Sequence, residues 1–290
     1  MNARETAARL GLKRLPRSWR GRCPACDYPG TFSVREGREG RALVACASCR
    51  DRDALVLAVA RATKQDYRPE PRDDGNETAT RQRKSGFAVR LWNGSVPAPC
   101  TLVERYLAAR GLAGLETSPV LRFRPDTPHP EGKGAGARYP AMIALVTGAD
   151  GAALAIHRTY LRPDGTGKAD VEPSKASLGP IWGGAIRLQG HNPAGPLVIG
   201  EGIETAASAG RLMGLPAWAA IAAGNMAKGL ILPPEVRRVM IAADPDGPGR
   251  DAARDAWIRW RAEGREVRIA TPDGPGDFND LLRTRETGNG

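Results

Sequence analysis

No stretch of this 290-residue chain approaches the roughly 20 consecutive apolar residues that a membrane-crossing helix needs, so no membrane span is expected. No Gly-Lys-Ser or Gly-Lys-Thr occurs, which removes a P-loop motor. Cysteine is scarce. Four of the five cysteines stand in two tight pairs, a pattern that fits a metal in a reducing compartment better than a disulfide framework. The fifth, Cys100, precedes an expected helix and is read as packing. Of only three histidines, His129 and His191 sit in Pro/Gly loops without an assigned role, and His157 is read as packed on its strand. The Arg-rich N-terminus is interrupted by Glu5 and shows no cleavage-like boundary before Cys23. It is read as part of the folded protein, with the cytoplasm as the expected location.

What is abundant is arginine, 36 against 7 lysines, and the net charge is +11. The charge is unevenly spread: +7 over residues 1–63, +5 over 64–193 and −1 over 194–290. A basic surface followed by clustered acid fits a polyanion such as nucleic acid handled with a divalent metal. A genome rich in G and C accounts for part of the arginine surplus.

Residues 1–63 read as a zinc-binding module. Cys23-Pro24-Ala25-Cys26 and, 19 residues on, Cys46-Ala47-Ser48-Cys49 each place two thiolates on one tight turn, and two such turns close a tetrahedron around zinc. Thr31–Arg35 and Arg41–Ala45 alternate like the strands of a hairpin, with Gly37 and Gly40 near its turn. Four thiolates leave no open position, so the zinc is structural. Trp19, Tyr28 and Phe32 lie beside Lys13, Arg14, Arg17, Arg20 and Arg22. They either stack bases, as in single-strand binders, or cover a small core; the arginine cluster, Arg20 and Arg22 included, is read toward DNA. A helix is expected over Ala54–Ala62.

Residues 64–85 are polar, mixed in charge and without periodicity, and are expected to be a flexible linker. Residues 86–193 then form a basic α+β subdomain. Thr101–Arg110 carries Leu102, Val103, Tyr106 and Leu107 on one helical face with Gly111 as its stop. Ala141–Val146 and Ala153–Leu161 pair as a hairpin, and Ile186–Leu188 is a further strand. Arg158, Lys168 and Lys175 either hold a phosphate or triphosphate or are simply solvated.

Residues 194–290 alternate apolar strands with helices, which implies a small parallel sheet covered on both faces. The strands are Leu197–Gly200, Ala217–Ala222, Arg238–Ala243 and Glu266–Ala270. The helices are Ile203–Met213 and Asp251–Ala262, with a short helix or turn at Met226–Leu230. Ligands bind beyond the carboxyl ends of such strands, and there the sequence places Glu201, then Asp244-Pro245-Asp246-Gly247. Asp277-Phe278-Asn279-Asp280 follows near the C-terminus. Clustered carboxylates hold magnesium or manganese against a nucleotide phosphate, and Gly202 and Gly247 let phosphate approach the backbone. Arg250, Arg254, Arg261 and Arg265 share one side of the last long helix and are read as solvated.

Glu201-Gly202 followed by Asp244-Pro245-Asp246-Gly247-Pro248-Gly249-Arg250-Asp251-Ala252 resembles the Toprim pattern, Glu-Gly and then Asp-x-Asp-x-x-Gly-x-x-Ala. With the cysteine module in front, the chain is similar to bacterial and phage DNA primases built from a zinc-binding module and a Toprim catalytic domain. Glu-Gly-Ile-Glu-Thr and Asp-Phe-Asn-Asp-Leu-Leu look most like the stand-alone primase-like proteins of phages and mobile elements. Gly224 also sits where that family has a glycine. The resemblance implies an α/β fold: a Toprim domain with a small parallel Rossmann-like sheet, preceded by an α+β basic subdomain and an N-terminal β-hairpin zinc ribbon.

It further implies synthesis of short RNA primers on a single-stranded DNA template from ribonucleoside triphosphates, with a separately encoded replicative helicase as partner. Glu201, Asp244 and Asp246 are implied as the catalytic and magnesium or manganese set, supported by Asp277 and Asp280. Arg158, Lys168, Lys175 and Gly202 are implied on nucleotide and template. The chain departs from the family in using four cysteines where three and a histidine are usual. It also has Thr205 where an acid is common, with Glu204 as the neighbouring substitute. The rival readings are a Toprim nuclease and a non-catalytic recombination-mediator-like clamp. A topoisomerase would need a nucleophilic tyrosine in a separate large domain, and the few tyrosines here offer none.

Overall fold

Leu197, Val198 and Ile199 are buried on both sides, as a strand inside a parallel sheet must be, and the rest of the C-terminal architecture follows from that run. The computed structural model describes residues 2–37, 40–46, 52–64, 74–131, 136–274 and 276–288. Two compact units divide the chain, residues 1–77 with 128–138 and residues 78–127 with 139–290.

In the first unit, helix α1 (Ala3–Arg9) is capped by Asn2, whose side chain accepts from Glu5 N. Strands β1 (Lys13–Arg14), β2 (Trp19–Gly21), β3 (Phe32–Glu36) and β4 (Ala42–Cys46) make an antiparallel meander. Helix α2 (Arg52–Thr63) follows. Phe32 and Val34 point inward from β3 to meet Ala3, Ala42, Leu55 and Val59 in one small core. Residues 128–138 also belong here: buried Glu131 accepts from Arg17 N at 3.1 Å and from Ser18 Oγ at 3.0 Å. Cys49 and linker residues 65–73 lie outside the described residues.

In the second unit, helix α3 (Asp74–Asn93) corrects the flexible-linker expectation for residues 74–85. Its C-terminal half presents Ala88, Leu91 and Trp92 to a core shared with Ala141, Ile143, Ile156 and Tyr160. That anchored half supplies the costly helical nucleus. Ala79, Gln82, Arg83 and Lys84 are good helix formers and propagate it without any apolar stripe of their own. Strand β5 (Val96–Pro97) and helix α4 (Leu102–Ala108) follow, the latter capped by Thr101, whose Oγ1 accepts from Val103 N. Cys100, expected to pack, is exposed, because its backbone is spent on the turn into α4.

Strands β6 (Leu121–Pro128), β7 (Arg138–Thr147), β8 (Ala153–Tyr160) and β9 (Lys175–Leu178) complete a sheet in the order β5-β6-β7-β8-β9. Strand β7 is buried on both faces. Ala141 and Ile143 meet α3, while Met142, Ala144 and Val146 join a larger core with α4 and the C-terminal region.

That region contains β10 (Ile186–Arg187), β11 (Leu197–Gly200), α5 (Ile203–Met213) and β12 (Ala217–Ala219). A π-helical turn at Asn225–Gly229 leads to β13 (Arg238–Ala242), α6 (Gly247–Ala262), β14 (Glu266–Ala270) and α7 (Phe278–Gly288). The sheet order is β10-β12-β11-β13-β14, all parallel except β10. The sheet is therefore mixed rather than purely parallel, and its antiparallel edge comes from the segment expected in the preceding subdomain. From β11 the chain crosses to β12 on one side, and from β13 to β14 on the other. Right-handed crossovers then place α5 and α6 on opposite faces, with a topological switch between β11 and β13. Among the described residues no helix is long and apolar enough to cross a membrane.

Candidate active site and metal centre

Gly200 ends β11 and Ala242 faces it in β13, so Glu201 and Asp244 emerge side by side at the switch point. Local chemistry makes the turn there. A Cβ on Gly200 would come within 2.8 Å of Ala206 N, so only glycine lets α5 start this close to its strand. Ile221, at the end of the neighbouring strand, holds φ at +76°, unusual for a β-branched residue, with its N–H donating to Glu201 O at 2.7 Å. That bond fixes the backbone from which Glu201 projects.

Asp244 is half-buried and lies among other charged groups. Burial pushes its carboxyl above the usual range; Asp246 and Asp277 push the same way, while a hydrogen bond from Thr205 and the charge of Lys175 oppose them. Thr205 Oγ1 donates to Asp244 Oδ1 at 2.9 Å. Asp246 caps α6, its Oδ1 accepting from Gly249 N at 2.7 Å, which is why that helix begins at Gly247, before the expected Asp251. Gly249 has no room for a side chain: a Cβ would stand 2.7 Å from Asp246 Oδ1 and 2.8 Å from Asp244 Cβ. Gly249→Ala is expected to lower stability by about 1–3 kcal/mol through this overpacking, read as a shifted denaturant midpoint at unchanged slope.

Asp277 and Asp280 form a reciprocal cap at the start of α7. Asp277 Oδ1 accepts from Asp280 N at 2.9 Å and Asp280 Oδ2 from Asp277 N at 3.2 Å. Buried Asn279 ties the same turn to Ser208 Oγ of α5 at 3.0 Å and to Arg110 O at 2.6 Å.

Asp244 suits a divalent cation, because ionising it beside two further acids leaves an excess of negative charge that a hard cation relieves. Among the described residues no three acids bring ligand oxygens within 4.8 Å of one another. Magnesium keeps several waters and takes one or two carboxylates directly.

The basic residues divide. Lys168 Nζ lies 2.9 Å from Glu204 Oε1, and Lys175, at the exposed start of β9, acts electrostatically on both Glu204 and Asp244. Arg158 is buried, its Nε and Nη2 donating to Ala176 O and Ser177 O of β9, each at 3.2 Å. It is therefore a clamp between β8 and β9, not an open phosphate contact.

Two members of this cluster escaped the sequence reading of the site. Tyr106, buried on α4, donates its hydroxyl to Glu204 Oε1. His157 bonds Ser177 Oγ through Nδ1 at 2.9 Å, and burial followed by the charge of Lys175 brings its pKa down to about 3, so it is neutral. Tyr106 had one available signal: a tyrosine on an apolar helix face needs a partner for its hydroxyl. Glu204 itself is driven well below the carboxylate range. Burial acts against this but is overridden by Lys168, Lys175 and the hydrogen bonds of Tyr106 and Lys168.

In the first unit, Cys23, Cys26 and Cys46 bring their sulfurs within 4.8 Å of one another, Cys26 and Cys46 at 3.7 Å. Tetrahedral Zn–S bonds of about 2.3 Å require sulfurs about 3.8 Å apart, so these thiols fit zinc. Of the residues expected on DNA, Phe32 is wholly buried, because β3 alternates and Phe32 falls on its core side. Arg20 is half-buried. Arg22 is exposed and paired with Asp27 Oδ2 at 3.0 Å. Trp19 is half-buried against that core, with the Arg14 guanidinium 4.0 Å from its ring.

Comparison with known proteins assigns residues 196–288 to the Toprim domain and residues 82–188 to a domain of unknown function, DUF7146. No curated protein matches the chain. Among solved structures, a DnaG primase catalytic domain bound to single-stranded DNA is 16% identical, with a TM-score of 0.48 over 73% of this chain and 81% of that one. The zinc-binding and RNA polymerase domains of Aquifex aeolicus primase are 14% identical, with a TM-score of 0.44 over 96% of this chain and 79% of that one. The primase fragment of the bacteriophage T7 primase-helicase is 14% identical, with a TM-score of 0.43 over 94% of this chain and 98% of that one. These distant likenesses carry no argument about activity. The C-terminal region is a Toprim domain, and the N-terminal cysteine cluster is compatible with a zinc ribbon.

Proposed function

We propose that the chain synthesises short RNA primers on single-stranded DNA by metal-dependent nucleotidyl transfer. The observation that carries this reading is a juxtaposition on adjacent residues of α5 in a Toprim domain: Thr205 bonds Asp244 at 2.9 Å, while Glu204 holds the Lys168 ammonium at 2.9 Å. One site thus collects acids for a cation and amines for phosphate.

In the reaction, the 3′-hydroxyl oxygen of one ribonucleotide bonds to the α-phosphorus of the next, and the bond to the departing pyrophosphate breaks. Glu201 takes the hydroxyl proton or organises the metal site. Asp244 and Asp246 hold magnesium or manganese, with Asp277 and Asp280 in support. When bound, that ion supplies positive charge to the attacking and leaving oxygens. Lys168 and Lys175 bind triphosphate oxygens as compact charges, and Gly202 leaves the backbone open to them. Arg158 acts indirectly, by holding β9 and hence Lys175 in place. Zinc held by Cys23, Cys26, Cys46 and Cys49 fixes the N-terminal module, whose Arg14–Trp19 pair, with Arg20 and Arg22, grips template. A separately encoded replicative helicase is the expected partner.

The test supplies labelled ribonucleotides, manganese or magnesium and single-stranded DNA. Short labelled products that require template and disappear in Asp244→Ala support the proposal. Full activity in that variant sinks the assigned site. Metal-dependent cleavage without synthesis would make the protein a nuclease, and salt-sensitive binding without turnover a DNA clamp.

A further inference from the structure

Glu204 and Thr205 are adjacent in sequence, yet their side chains serve different groups. Thr205 is bonded to Asp244. Glu204 instead meets Lys168 Nζ at 2.9 Å and the hydroxyl of Tyr106, both through Oε1. Its side chain is only 11% exposed, and Tyr106, which approaches from α4, is fully buried. A carboxylate neutralised by a lysine and pinned by a phenol on another helix is committed to that lysine.

Resting on the functional reading above, we infer that Glu204 is a positioning residue that anchors Lys168 for the triphosphate and takes no part in holding the divalent cation. Lysine carries its ammonium on a flexible four-carbon stem with three donors. Unanchored, Lys168 spreads over many rotamers and is pushed away by Lys175, whose charge reaches the same carboxylate. With one N–H held by Glu204, two remain for phosphate oxygens at a defined place. Lys168 is 26% exposed, so its ammonium stays within reach of a ligand. Thr205 completes the division of labour. It orients Asp244 by a hydrogen bond and adds no charge, so the acid common at that position in the resembling family is not replaced by Glu204.

Two separate titrations of the full chain test this. Manganese alone is followed by the resonance of the free ion, and a non-hydrolysable ribonucleoside triphosphate analogue, without metal, by anisotropy. Glu204→Gln is nearly isosteric and can still accept from Tyr106. It is expected to leave the manganese Kd within about twofold and to raise the analogue Kd about fivefold or more, orientation outweighing the lost negative charge. Tyr106→Phe raises the analogue Kd in the same direction by less. In a Lys168→Ala background Glu204→Gln adds nothing, the non-additivity of two residues acting as one and a result that general loosening would not reproduce. A loss of about tenfold in manganese affinity, or analogue binding that is unchanged or tighter, overturns the inference. A wild type that binds both probes but makes no primers sinks the primase reading and leaves the comparison standing.

Discussion

Asp244→Asn is expected to lower metal-dependent turnover by about two orders of magnitude or more, and at the same time to stabilise the metal-free protein at neutral pH. Both effects have one origin. The native surroundings of Asp244 favour its protonated form, through burial first and then the charges of Asp246 and Asp277. A raised native pKa contributes stability that is fully present below the unfolded value of about 3.9 and is lost as pH rises through the native value, because the unfolded chain releases its proton first. At neutral pH the metal-free wild type therefore carries this deficit and the Asn variant does not. The Asn side chain keeps an oxygen for Thr205, so the hydrogen bond survives. The gain would appear as a higher melting temperature of the Asn variant. Melting curves of the two proteins in chelator should converge toward pH 4 and separate above it. Saturating magnesium should reverse their order, since only the wild type binds the ion tightly. A variant less stable than wild type in chelator at pH 7 would contradict the electrostatic account.

The other large effect belongs to zinc. Stripping metal from the thiols of Cys23, Cys26 and Cys46 is expected to unfold the first unit while the second persists. The core of that unit is Phe32, Val34, Leu55 and Val59 with small residues, and domains this small seldom stand on apolar burial alone. Structural zinc contributes about 10–16 kcal/mol in comparable modules, far more than such a core provides. Hydrogen exchange after chelation should show residues 3–63 losing protection while β7, β8 and β11 keep theirs. Cys23→Ser should reproduce the pattern with zinc present. Protection of Phe32 and Val34 that survives metal removal would show that the ion is not structural.

The parallel strands and acid positions were legible because each rests on a local signal. Leu197–Gly200 is an apolar run closed by Glu-Gly, and it matches β11. Glu266–Ala270 likewise matches β14. The failures lie where tertiary contacts outvote composition. The helix over residues 74–85 has no apolar period of its own; Ala88, Leu91 and Trp92 nucleate it from beyond the expected linker. Phe32 looked equally suited to stacking and to packing, because alternation along a strand does not say which side faces the core. Arg158 read as a phosphate contact or a solvated charge, and Glu204 as the substitute for the acid missing at Thr205, since no local pattern announces the β9 carbonyls or the Tyr106 hydroxyl. Side-chain partners about 20 to 100 positions away are invisible to any local pattern.

The buried carboxylate of Glu131 has a consequence for how this architecture can be cut or exchanged. It satisfies Arg17 N and Ser18 Oγ from more than a hundred positions downstream, so the zinc-bearing unit is assembled from two separate stretches of chain. An N-terminal fragment ending at Glu77 would leave a fully buried hydroxyl without its acceptor. Recombination that swaps only the first 77 residues between related genes meets the same defect. Compatible exchange has to carry residues 128–138 as well, because the unit is a matched pair of segments rather than one cassette.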